Sequence, residues 1–366
     1  MSNPLISVVV STYCGARYIR RCLELLEAQT VAHRLEILVI DSGSPENERS
    51  IVEELQQAHE NIVYVRTDRE TLYAAWNRAL ELATGTYFAN FNVDDWIRED
   101  ALELMALALE RHSDADIAYA HWAATTVAQQ PPTGDDPVSF HSRYEPALPL
   151  FYCYGGSTQF WRRSSLVRLG GFDSSFTACG DLEVLCRLTL AGGVAVLVPQ
   201  VLEGFFQNPD GISRATDVSL QEQSEVFARA RRETPLDRLY SIDPGDAASV
   251  AGAWTVLGNM AMQVKVPWHE GPLHDAEFAM SCYERALDAM PKYRSAMHNR
   301  YVVQFGDVRW GDAEASLDQL TPREAAAVRG ADLDLWGPSI EPAVRGPVLE
   351  VEGGADPRPL HVRSAR

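Results

Sequence analysis

Short apolar runs and amphipathic segments alternate through the first third of the chain. The apolar runs are rich in β-branched or aromatic residues and end in polar ones: "LISVVVSTY", "LEILVIDSGS", "NIVYVRT" and "TYFANFNVDD". Such runs are typical of strands buried on both faces. The segments between them place apolar residues at helical spacing, as in "RYIRRCLELLEAQ" and "TLYAAWNRALELATG". This alternation predicts an α/β fold whose mostly parallel sheet carries helices on both faces.

The middle of the chain has a weaker pattern. A strand-like "DIAYAHWAATTV" is followed by residues 128–148, which contain "QQPPTGDDP" and show no periodicity. We expect an irregular loop that passes over the sheet there. Beyond it, "GGSTQFWRRSSLVRLGGFD" predicts a strand, a short helix and a Gly-Gly turn, "GDLEVLCRLTLAGG" a helix that opens at Asp181, and "VAVLVP" a late strand.

The composition changes near Pro235, and the chain beyond it has a purely helical pattern. Its spacing of small and aromatic residues resembles one tetratricopeptide repeat, carried by Trp254, Leu257, Gly258, Ala279, Tyr283, Ala286 and Pro291. A plain helical hairpin packed on the main domain is the alternative. We therefore predict an α/β domain at 1–235, a smaller helical, tetratricopeptide-like domain at 236–335, and a Pro- and Gly-rich tail at 336–366, extended or poorly ordered.

The charge of the chain excludes some classes of partner. The formal net charge is -19 and the pI is near 4.9, so a nucleic-acid partner is not expected, because binding a polyanion needs a basic footprint. The six cysteines form no CxxC pair, which predicts free thiols in a reducing cytosol. No secretory leader and no apolar run of about 18 residues is visible, so we expect no transmembrane segment.

Polar residues end the predicted strands of the sheet. In parallel sheets, ligands bind beyond the carboxyl ends of the strands, so we expect these residues to converge on one edge: Ser11, Thr12, Tyr13, Asp41, Asp94 and Asp95. The doublet Asp94-Asp95 has two interpretations. It forms a solvated turn with a helix cap, or it holds a divalent metal against the phosphates of a nucleotide.

An ordered set of these motifs resembles the family 2 glycosyltransferases of the GT-A fold, over about the first 215 residues. The set is "SVVVSTY", "EILVIDSGS", "AAWNRALELATGTYFANFNVDDW" and "GGFDSSFTACGDLEVLCRL". Each motif alone is weak, and the order makes the set specific. The resemblance implies an inverting enzyme that moves a sugar from a nucleotide diphosphate, such as a UDP-sugar, to an acceptor hydroxyl in one displacement.

The resemblance also implies nucleotide-binding residues. Asp41 would accept a hydrogen bond from the imide N–H of uracil, and Thr12 and Tyr13 would contact the base. Asn77 keeps the asparagine of the family's Ala-Arg-Asn motif. The alternatives are a local turn from Asp41 into Ser44, which could also cap the next helix, and ordinary strand-end roles for Thr12 and Tyr13.

The family's Asp-x-Asp element is present here as Asn92-Val93-Asp94, followed by Asp95. By resemblance, Asp94 would hold Mn²⁺ or Mg²⁺ against the diphosphate, and Asn92 would bind a ribose hydroxyl without adding charge. Asp95 either joins the metal site or caps the next helix. Asn208 stands where the family often has a histidine. These neutral replacements imply weak or transient metal binding.

Asp181, in "ACGDLEVL", matches the family's acceptor-side acid, the general base. An attacking sugar hydroxyl needs a proton acceptor within hydrogen-bond reach. A position at the start of a helix favours the ionised carboxylate, because the helix dipole stabilises negative charge. The alternative is an acid that only stabilises its helix.

These residues allow two classes of function. The leading hypothesis is a glycosyltransferase that uses a nucleotide-sugar donor and a glycan or glycolipid acceptor. It would be cytoplasmic or peripheral at the inner face of a membrane, and its C-terminal helices could bind a second copy or a protein partner. A degenerate nucleotide- or glycan-binding scaffold is the alternative, favoured by the neutral residues Trp76, Asn92 and Asn208. The glycine patterns of nucleotidyltransferases and dinucleotide-binding oxidoreductases are missing after the first strand.

Overall fold

Strands and helices alternate in the computed structural model, which describes residues 5–155, 158–209, 211–212, 216–265, 272–273, 275–306 and 341–350. Apart from the two-residue strand at Trp96–Ile97, which was not predicted, the elements of the first third agree with the predicted alternation. They are β1 (Ile6–Thr12), α1 (Ala16–Glu27), β2 (Leu35–Asp41), α2 (Glu48–Gln56), β3 (Ile62–Arg66), α3 (Leu72–Leu82), β4 (Tyr87–Asn90), β5 (Trp96–Ile97) and α4 (Ala101–Arg111).

The remaining elements are strands of two to twelve residues and a set of helices. The predicted loop at 128–148 contains a two-residue strand, β7, and leads to a 3-10 turn at Leu148–Leu150. The other elements are β6 (Ile117–Thr125), β7 (Val138–Ser139), β8 (Phe160–Arg162), α5 (Arg163–Arg168), α6 (Gly180–Leu190), β9 (Ala195–Phe206), α7 (Thr216–Glu233), α8 (Leu236–Leu239), α9 (Ala247–Gln263), β10 (Val264–Lys265), β11 (Pro272–Leu273), α10 (Ala276–Ala289) and α11 (Arg294–Gly306).

Within the described residues, the main sheet has nine strands: eight in the order β3-β2-β1-β4-β8-β6-β9-β5, and β7, which pairs with β6. Strands β1 to β4 are mutually parallel, and β9 is parallel to β6. Strand β8 is antiparallel to both β4 and β6, so β6 points in the same direction as β4. Six strands therefore share one direction, and the prediction of a mostly parallel sheet is confirmed.

Helices cover both faces of this sheet, as predicted. Val8 and Val10 of β1 pack in one apolar cluster with residues of α1 and α4, and Val9 packs in the other with residues of α3 and α6. The alternation along β1 follows from the two-residue period of a strand. Both faces are buried, which explains why the strands have continuous apolar sequences.

The C-terminal part is mostly helical, but β10 and β11 form a small antiparallel hairpin where the sequence pattern predicts only helix. Helices α9 and α10 contact each other at Gly258, where an added Cβ would lie 2.6 Å from Cε1 of Tyr283. The Tyr283 hydroxyl donates to Asn259 Oδ1 (2.9 Å). Small residues at a close helix contact agree with either the repeat or the plain hairpin, so the repeat stays a prediction. No helix in the described ranges is long and apolar enough to cross a membrane.

Residues 341–350 of the predicted tail are extended and pair with the main sheet. Val348 forms a parallel bridge to Leu197 of β9, and Pro342 an antiparallel bridge to Tyr240. The Leu197 amide donates to the Pro347 carbonyl (3.0 Å), and the Leu349 amide donates to the Leu197 carbonyl (2.8 Å). This part of the tail therefore adds a short strand-like segment beside β9. The rest of the predicted tail, at 336–340 and 351–366, lies outside the described residues.

Candidate functional site

The carboxyl ends of β1, β2 and β4 meet at one edge of the sheet, which we call the carboxyl edge. Thr12 lies beside Asp41 in the β1–β2 register, and Val9 lies beside Asn90 in the β1–β4 register. The segments that follow these strands therefore leave the sheet from the same edge. They include residues 13–15 and 91–95. The structure thus brings together the strand-end residues that the sequence singled out.

The turn between β1 and α1 exposes Tyr13 and buries Thr12. The Tyr13 side chain is 45% exposed, and the guanidinium carbon of Arg69 lies 3.6 Å from its ring centroid, a cation–π contact. The Thr12 hydroxyl points inward, 3.5 Å from the Glu48 carboxylate. Cys14 adopts φ 55°, a left-handed conformation that turns the chain into α1. Of Thr12 and Tyr13, only Tyr13 therefore has an exposed side chain.

Side chains of the β2–α2 turn occupy the backbone amides at the start of α1. The Cys14 amide donates to Ser44 Oγ (3.0 Å), the Gly15 amide to Glu48 Oε1 (2.8 Å), and the Ala16 amide to Glu46 Oε2 (3.1 Å). The idea that Ser44 caps α2 is wrong, because α2 begins at Glu48 with Asn47 at its N-cap position. The amides that hold a phosphate in dinucleotide-binding folds are therefore occupied by this chain's own acceptors.

Asp41 ends β2 with its carboxylate wholly buried, at 0% exposure. Its Oδ1 accepts the Ser44 amide (2.7 Å), and its Oδ2 accepts the Tyr64 hydroxyl and the Arg66 guanidinium. The contact with Ser44 is the turn that was the alternative interpretation. Binding of the uracil N–H by Asp41 stays a prediction, and it would require a rearrangement that admits the base to this buried group.

Asp94 follows β4 and keeps one carboxylate oxygen open. The side chain is half-buried, and its Oδ2 accepts the Asn208 amide group (2.8 Å). Among the described residues, none donates a hydrogen bond to Oδ1 of Asp94. Asn208 follows β9, so the contact joins the two segments that the sequence assigned to the metal-diphosphate site. Asn92 lies in the same turn, and its side-chain NH₂ donates to Asp95, which leaves its carbonyl oxygen as an acceptor.

Asp95 differs from its neighbour because it is buried, at 1% exposure. Its Oδ1 accepts the Phe206 amide (2.8 Å), and its Oδ2 accepts the Asn92 side chain (2.9 Å). Burial and the nearby charge of Asp94 raise the pKa of Asp95 well above its ordinary value. The helix-cap alternative for Asp95 is wrong, since Asp100 precedes α4. Asp95 instead ties the Asn92–Asp95 turn to the end of β9.

The residues at this site fit a cation that is shared with a substrate. Within the described ranges, no group of three or more His, Cys, Asp or Glu side chains is arranged to hold a metal ion. The open oxygens of Asp94 and Asn92 are hard donors of the kind that Mg²⁺ and Mn²⁺ prefer, but they bring a single charge. Such ions are commonly held by one or two carboxylates together with substrate phosphates, and this donor set agrees with that pattern.

Asp181 lies in the first turn of α6, which begins one residue earlier than predicted, at Gly180. Its Oδ1 accepts the Tyr73 hydroxyl (3.0 Å) and the Leu182 amide (2.9 Å). The side chain is half-buried, and no other described residue donates to its Oδ2. Burial is the largest influence and raises the pKa of Asp181, although its hydrogen bonds oppose the shift. The sequence argument that the helix start favours ionisation therefore omitted the stronger effect.

Hydrogen bonds connect the Asp94 and Asp181 parts of the carboxyl edge. The Gln159 amide donates to Asn90 Oδ1 at the end of β4 (2.9 Å), four residues before Asp94. The Gln159 side chain donates to the backbone carbonyl of Asp181 (3.1 Å). Gln159, which directly precedes β8, thus bridges the end of β4 and the first turn of α6. These two ends, which Asp94 and Asp181 respectively follow and belong to, therefore lie close together.

Asn77 and Trp76, on α3, have structural contacts. Asn77 donates to the Phe172 carbonyl (2.7 Å) and accepts the Phe172 amide (2.8 Å), so both polar atoms hold the Gly-Gly turn. A nucleotide role for Asn77 stays a prediction. Trp76 is buried as predicted, and its indole N–H donates to Ser11 (3.2 Å).

Sequence reasoning missed the residues that orient this site through long-range contacts. They are Glu48, Tyr73, Gln159 and Glu222, whose partners lie 22 to 108 positions away. Tyr73 carried a signal, because a tyrosine on the sheet-facing side of α3 needs a partner for its hydroxyl when it is buried. Glu48, Glu222 and Gln159 gave no such signal, because a Glu at a helix start or on a polar helix face is ordinary.

Comparisons with known proteins show which family a part of this chain matches. The family model described as Glycosyl transferase family 2 matches residues 7–169. The glycosyltransferase GlyA of Streptococcus pneumoniae is 31% identical over 117 residues, which are 32% of this chain and 16% of GlyA. The chondroitin synthase of Escherichia coli is 31% identical over 101 residues, which are 28% of this chain and 15% of the synthase. This chain thus spans less than a fifth of the length of either relative.

A solved structure shares the fold. Staphylococcus aureus TarS 1-349, in complex with UDP-GlcNAc, is similar with a TM-score of 0.55 and 16% sequence identity, over 89% of each chain. This similarity confirms the α/β architecture expected from the sequence. Together with the family match and the motif order, it allows one assignment. The chain contains a glycosyl transferase family 2 domain, which spans residues 7–169.

Proposed function

We propose that this protein is an inverting glycosyltransferase that moves a sugar from a nucleotide diphosphate donor, a UDP-sugar, to a hydroxyl of a glycan or glycolipid acceptor. One observation carries the proposal. Asp94 and Asp181 are half-buried carboxylates on the carboxyl edge, and each has one oxygen held by protein groups and one without a donor among the described residues. An open, oriented carboxylate is what both metal binding and proton transfer need.

Asp94 and Asn92 would hold the donor's diphosphate end. A divalent cation, Mn²⁺ or Mg²⁺, would neutralise the charge that develops on the leaving diphosphate. Asn208 keeps Asp94 in place through the bond to Oδ2, so Oδ1 stays available for the ion. Asp95, with both oxygens engaged, would position this turn. Because the protein supplies one charge, we expect weak metal affinity without nucleotide.

Asp181 would act as the general base. Tyr73 and the Leu182 amide fix Oδ1, which leaves Oδ2 to accept the proton of the attacking hydroxyl. A pKa raised by burial makes the carboxylate a stronger proton acceptor than an exposed aspartate. Attack opposite the leaving diphosphate, in one displacement, would invert the anomeric centre.

Nucleotide recognition would involve the β1–α1 turn. The exposed ring of Tyr13 would contact the base, with Arg69 packed on one side of the ring. Thr12, Asp41 and Asn77 remain the other proposed contacts. The choice of uridine is supported by TarS, which was solved with UDP-GlcNAc.

A scaffold that binds nucleotide or glycan without turnover is the second candidate. The uncharged residues Asn92 and Asn208 beside Asp94 favour it, because they weaken any metal site. In that case, the helical part beyond residue 235 would bind a partner or a second copy.

We also propose a division into domains at 1–235, 236–335 and 336–366. The proposed location is cytoplasmic or peripheral at the inner face of a membrane.

Ligand-dependent stability and donor hydrolysis test the proposal together. The melting temperature of the full chain is measured with UDP, GDP and TDP, each with and without Mn²⁺, since a ligand that binds the native state raises its stability. Release of UDP from UDP-sugars is then measured for the wild type, Asp94→Asn and Asp181→Asn. We expect Asp181→Asn to bind UDP normally and to lose about 10²- to 10⁴-fold in turnover. Asp94→Asn should lose the Mn²⁺-dependent part of UDP binding.

Asp114→Asn is the matched control. Asp114 is exposed and precedes β6, at the edge of the sheet opposite the carboxyl edge, so the same chemical change there should leave both measurements unaltered. Stabilisation by nucleotide without any turnover would favour the scaffold. Undiminished turnover in Asp181→Asn would remove Asp181 from the reaction.

A further inference from the structure

The start of α6 is held by a carboxylate from a different helix. Three consecutive backbone amides precede the helix, and all three donate to Glu222 of α7: Thr177 N to Oε1 (2.7 Å), Ala178 N to Oε2 (2.8 Å) and Cys179 N to Oε2 (3.0 Å). The N-cap residue, Cys179, makes no side-chain cap of its own. Glu222 therefore holds the segment that leads into α6, including the amide of its N-cap residue.

Helix α7 contacts the same part of α6 at two further points. The Ser219 carbonyl accepts the Cys179 thiol (3.5 Å), and Arg229 donates to the buried Glu183 (2.7 Å). Glu183 lies in the first turn of α6, two residues after Asp181. The first turn of α6 is thus fixed from α7 through its backbone and through a buried ion pair.

The orientation of Asp181 depends on that first turn. Its Oδ1 is bonded to the Leu182 amide of the same turn and to Tyr73 of α3. A rotation or fraying of the turn would move the carboxylate away from Tyr73 and change the direction of Oδ2. Helix ends are among the least protected parts of a fold, so the three hydrogen bonds from residues 177–179 to Glu222 contribute to the order of this turn.

We propose that Glu222 is a positioning residue for Asp181: it closes the amides of residues 177–179 and so fixes the turn that presents the acceptor-side acid. The inference rests on the proposed role of Asp181 as general base. It places the start of α7, 41 positions beyond Asp181, in the machinery of the reaction without contact to substrate. No feature of the polar face of α7 in the sequence indicates this role.

The charge of Glu222 has a second, measurable effect. Burial raises the pKa of Asp181 most, and the like charge of Glu222 adds to the shift. Neutralising Glu222 should therefore lower the pKa of Asp181, because one repelling negative charge is removed. The acid limb of the pH–rate profile would then move to lower pH. A residue with a purely structural role would lower the rate without moving this limb.

The test compares Glu222→Gln, Glu222→Asp and Glu225→Gln in the full chain, with release of UDP from a UDP-sugar as the readout. Glutamine keeps one acceptor oxygen and loses the charge, whereas aspartate keeps the charge on a shorter side chain. Glu225 is exposed on the same helix, and the amides of residues 177–179 donate to Glu222 instead, which makes Glu225→Gln the matched control. We expect Glu222→Gln to lower kcat about 10-fold or more, to leave the donor KM unchanged and to move the acid limb down.

Glu222→Asp should lower kcat and leave the limb near its wild-type position. Amide hydrogen exchange at residues 177–182 is measured in parallel and does not need activity; Glu222→Gln should accelerate it about 10-fold or more, and Glu225→Gln should not. An unchanged kcat, pH profile and exchange rate in Glu222→Gln would overturn the inference. If the wild type has no turnover, the proposed function fails, and exchange alone decides whether Glu222 holds the turn.

Discussion

At the scale of single residues, burial separates two kinds of acid at the carboxyl edge. Asp41 and Asp95 are wholly buried, and all their carboxylate oxygens accept protein hydrogen bonds. Asp94 and Asp181 are half-buried, and each keeps an oxygen open. The four acids look alike in the sequence, where each follows an apolar run or opens a helix. Only their partners distinguish an acid that shapes the edge from one that can meet a substrate.

This difference predicts that Asp95→Asn keeps the activity that Asp94→Asn loses. Asparagine at position 95 can still accept the Phe206 amide, and a flipped Asn92 can still bond to it, so Asp95→Asn should fold and keep turnover within about 3-fold. The folded-state pKa of Asp95 is raised, so its protonated form is favoured in the folded protein. The stability from this group is complete below the unfolded pKa and is lost as pH rises through the folded pKa.

The free energy of unfolding of Asp95→Asn should therefore increase relative to that of the wild type between pH 4 and pH 8. Urea unfolding at several pH values measures this difference, and Asp114→Asn serves as the exposed control. A loss of Mn²⁺-dependent UDP binding in Asp95→Asn as large as that in Asp94→Asn would instead make Asp95 a metal ligand.

At the scale of elements, local pattern predicted the units and missed some of their pairing. The strands and helices from β1 to α4 follow from apolar runs, helical spacing and turn residues. Strand β8 was predicted as a strand, but its antiparallel insertion between β4 and β6 has no sequence signal, because the partner of a strand is chosen by distant contacts. The same limit applies to the site: Asp94 and Asp181 could be found from motifs, whereas Glu48 and Glu222 could not, since their bonds cross between elements.

Strand β6 and the segment after β7 enclose a pair of buried histidines. The His141 amide donates to His121 Nδ1 (3.1 Å), and the His141 ring stacks on Tyr152 at 6.4 Å between centroids. His141 Nε2 is buried without a partner among the described residues. Burial lowers the pKa of His121 to about 4, and burial together with the charge of His121 lowers that of His141 to about 3. Both rings are therefore neutral in the folded protein near pH 7.

Replacement of His141 by phenylalanine should make the protein less sensitive to acid. Unfolded histidine takes up a proton below about pH 6.5, and the buried ring does not until far lower pH. The unfolded state thus binds more protons, and each such histidine costs the wild type about 1.4 kcal/mol of stability per pH unit below 6.5. His141→Phe keeps the ring packing, so its free energy of unfolding should fall less between pH 7 and pH 5. Substitution of the exposed His33 is the control. Equal slopes in His141→Phe and the wild type would show that His141 is protonated in the folded state.

At the scale of the whole molecule, the helical C-terminal part and the sheet share a core. Residues of α9 and α10, such as Ala251 and Tyr283, belong to the same apolar cluster as Val9 of β1 and Leu182 of α6. Arg231 of α7 also forms an ion pair with Asp275, which caps α10. Helix α7 therefore contacts both α6 and the start of α10. A partner that binds there could act on the site through α7.

Residues 341–350 pack against the main sheet, and their removal should lower the free energy of unfolding. Leu349 is buried in the second apolar cluster, and the Gly346 amide donates to the Tyr144 carbonyl (3.0 Å). One buried leucine and a few backbone hydrogen bonds predict a loss on the order of 3–5 kcal/mol when the chain stops at residue 340. A chain that stops at residue 350 keeps these contacts and should unfold at a higher urea concentration than the chain that stops at residue 340. Gly346→Val should resemble the shorter chain, because a Cβ at Gly346 would lie 2.0 Å from the Ala195 carbonyl oxygen. If the chain ending at 340 unfolded like the one ending at 350, the pairing with β9 would contribute nothing to the fold.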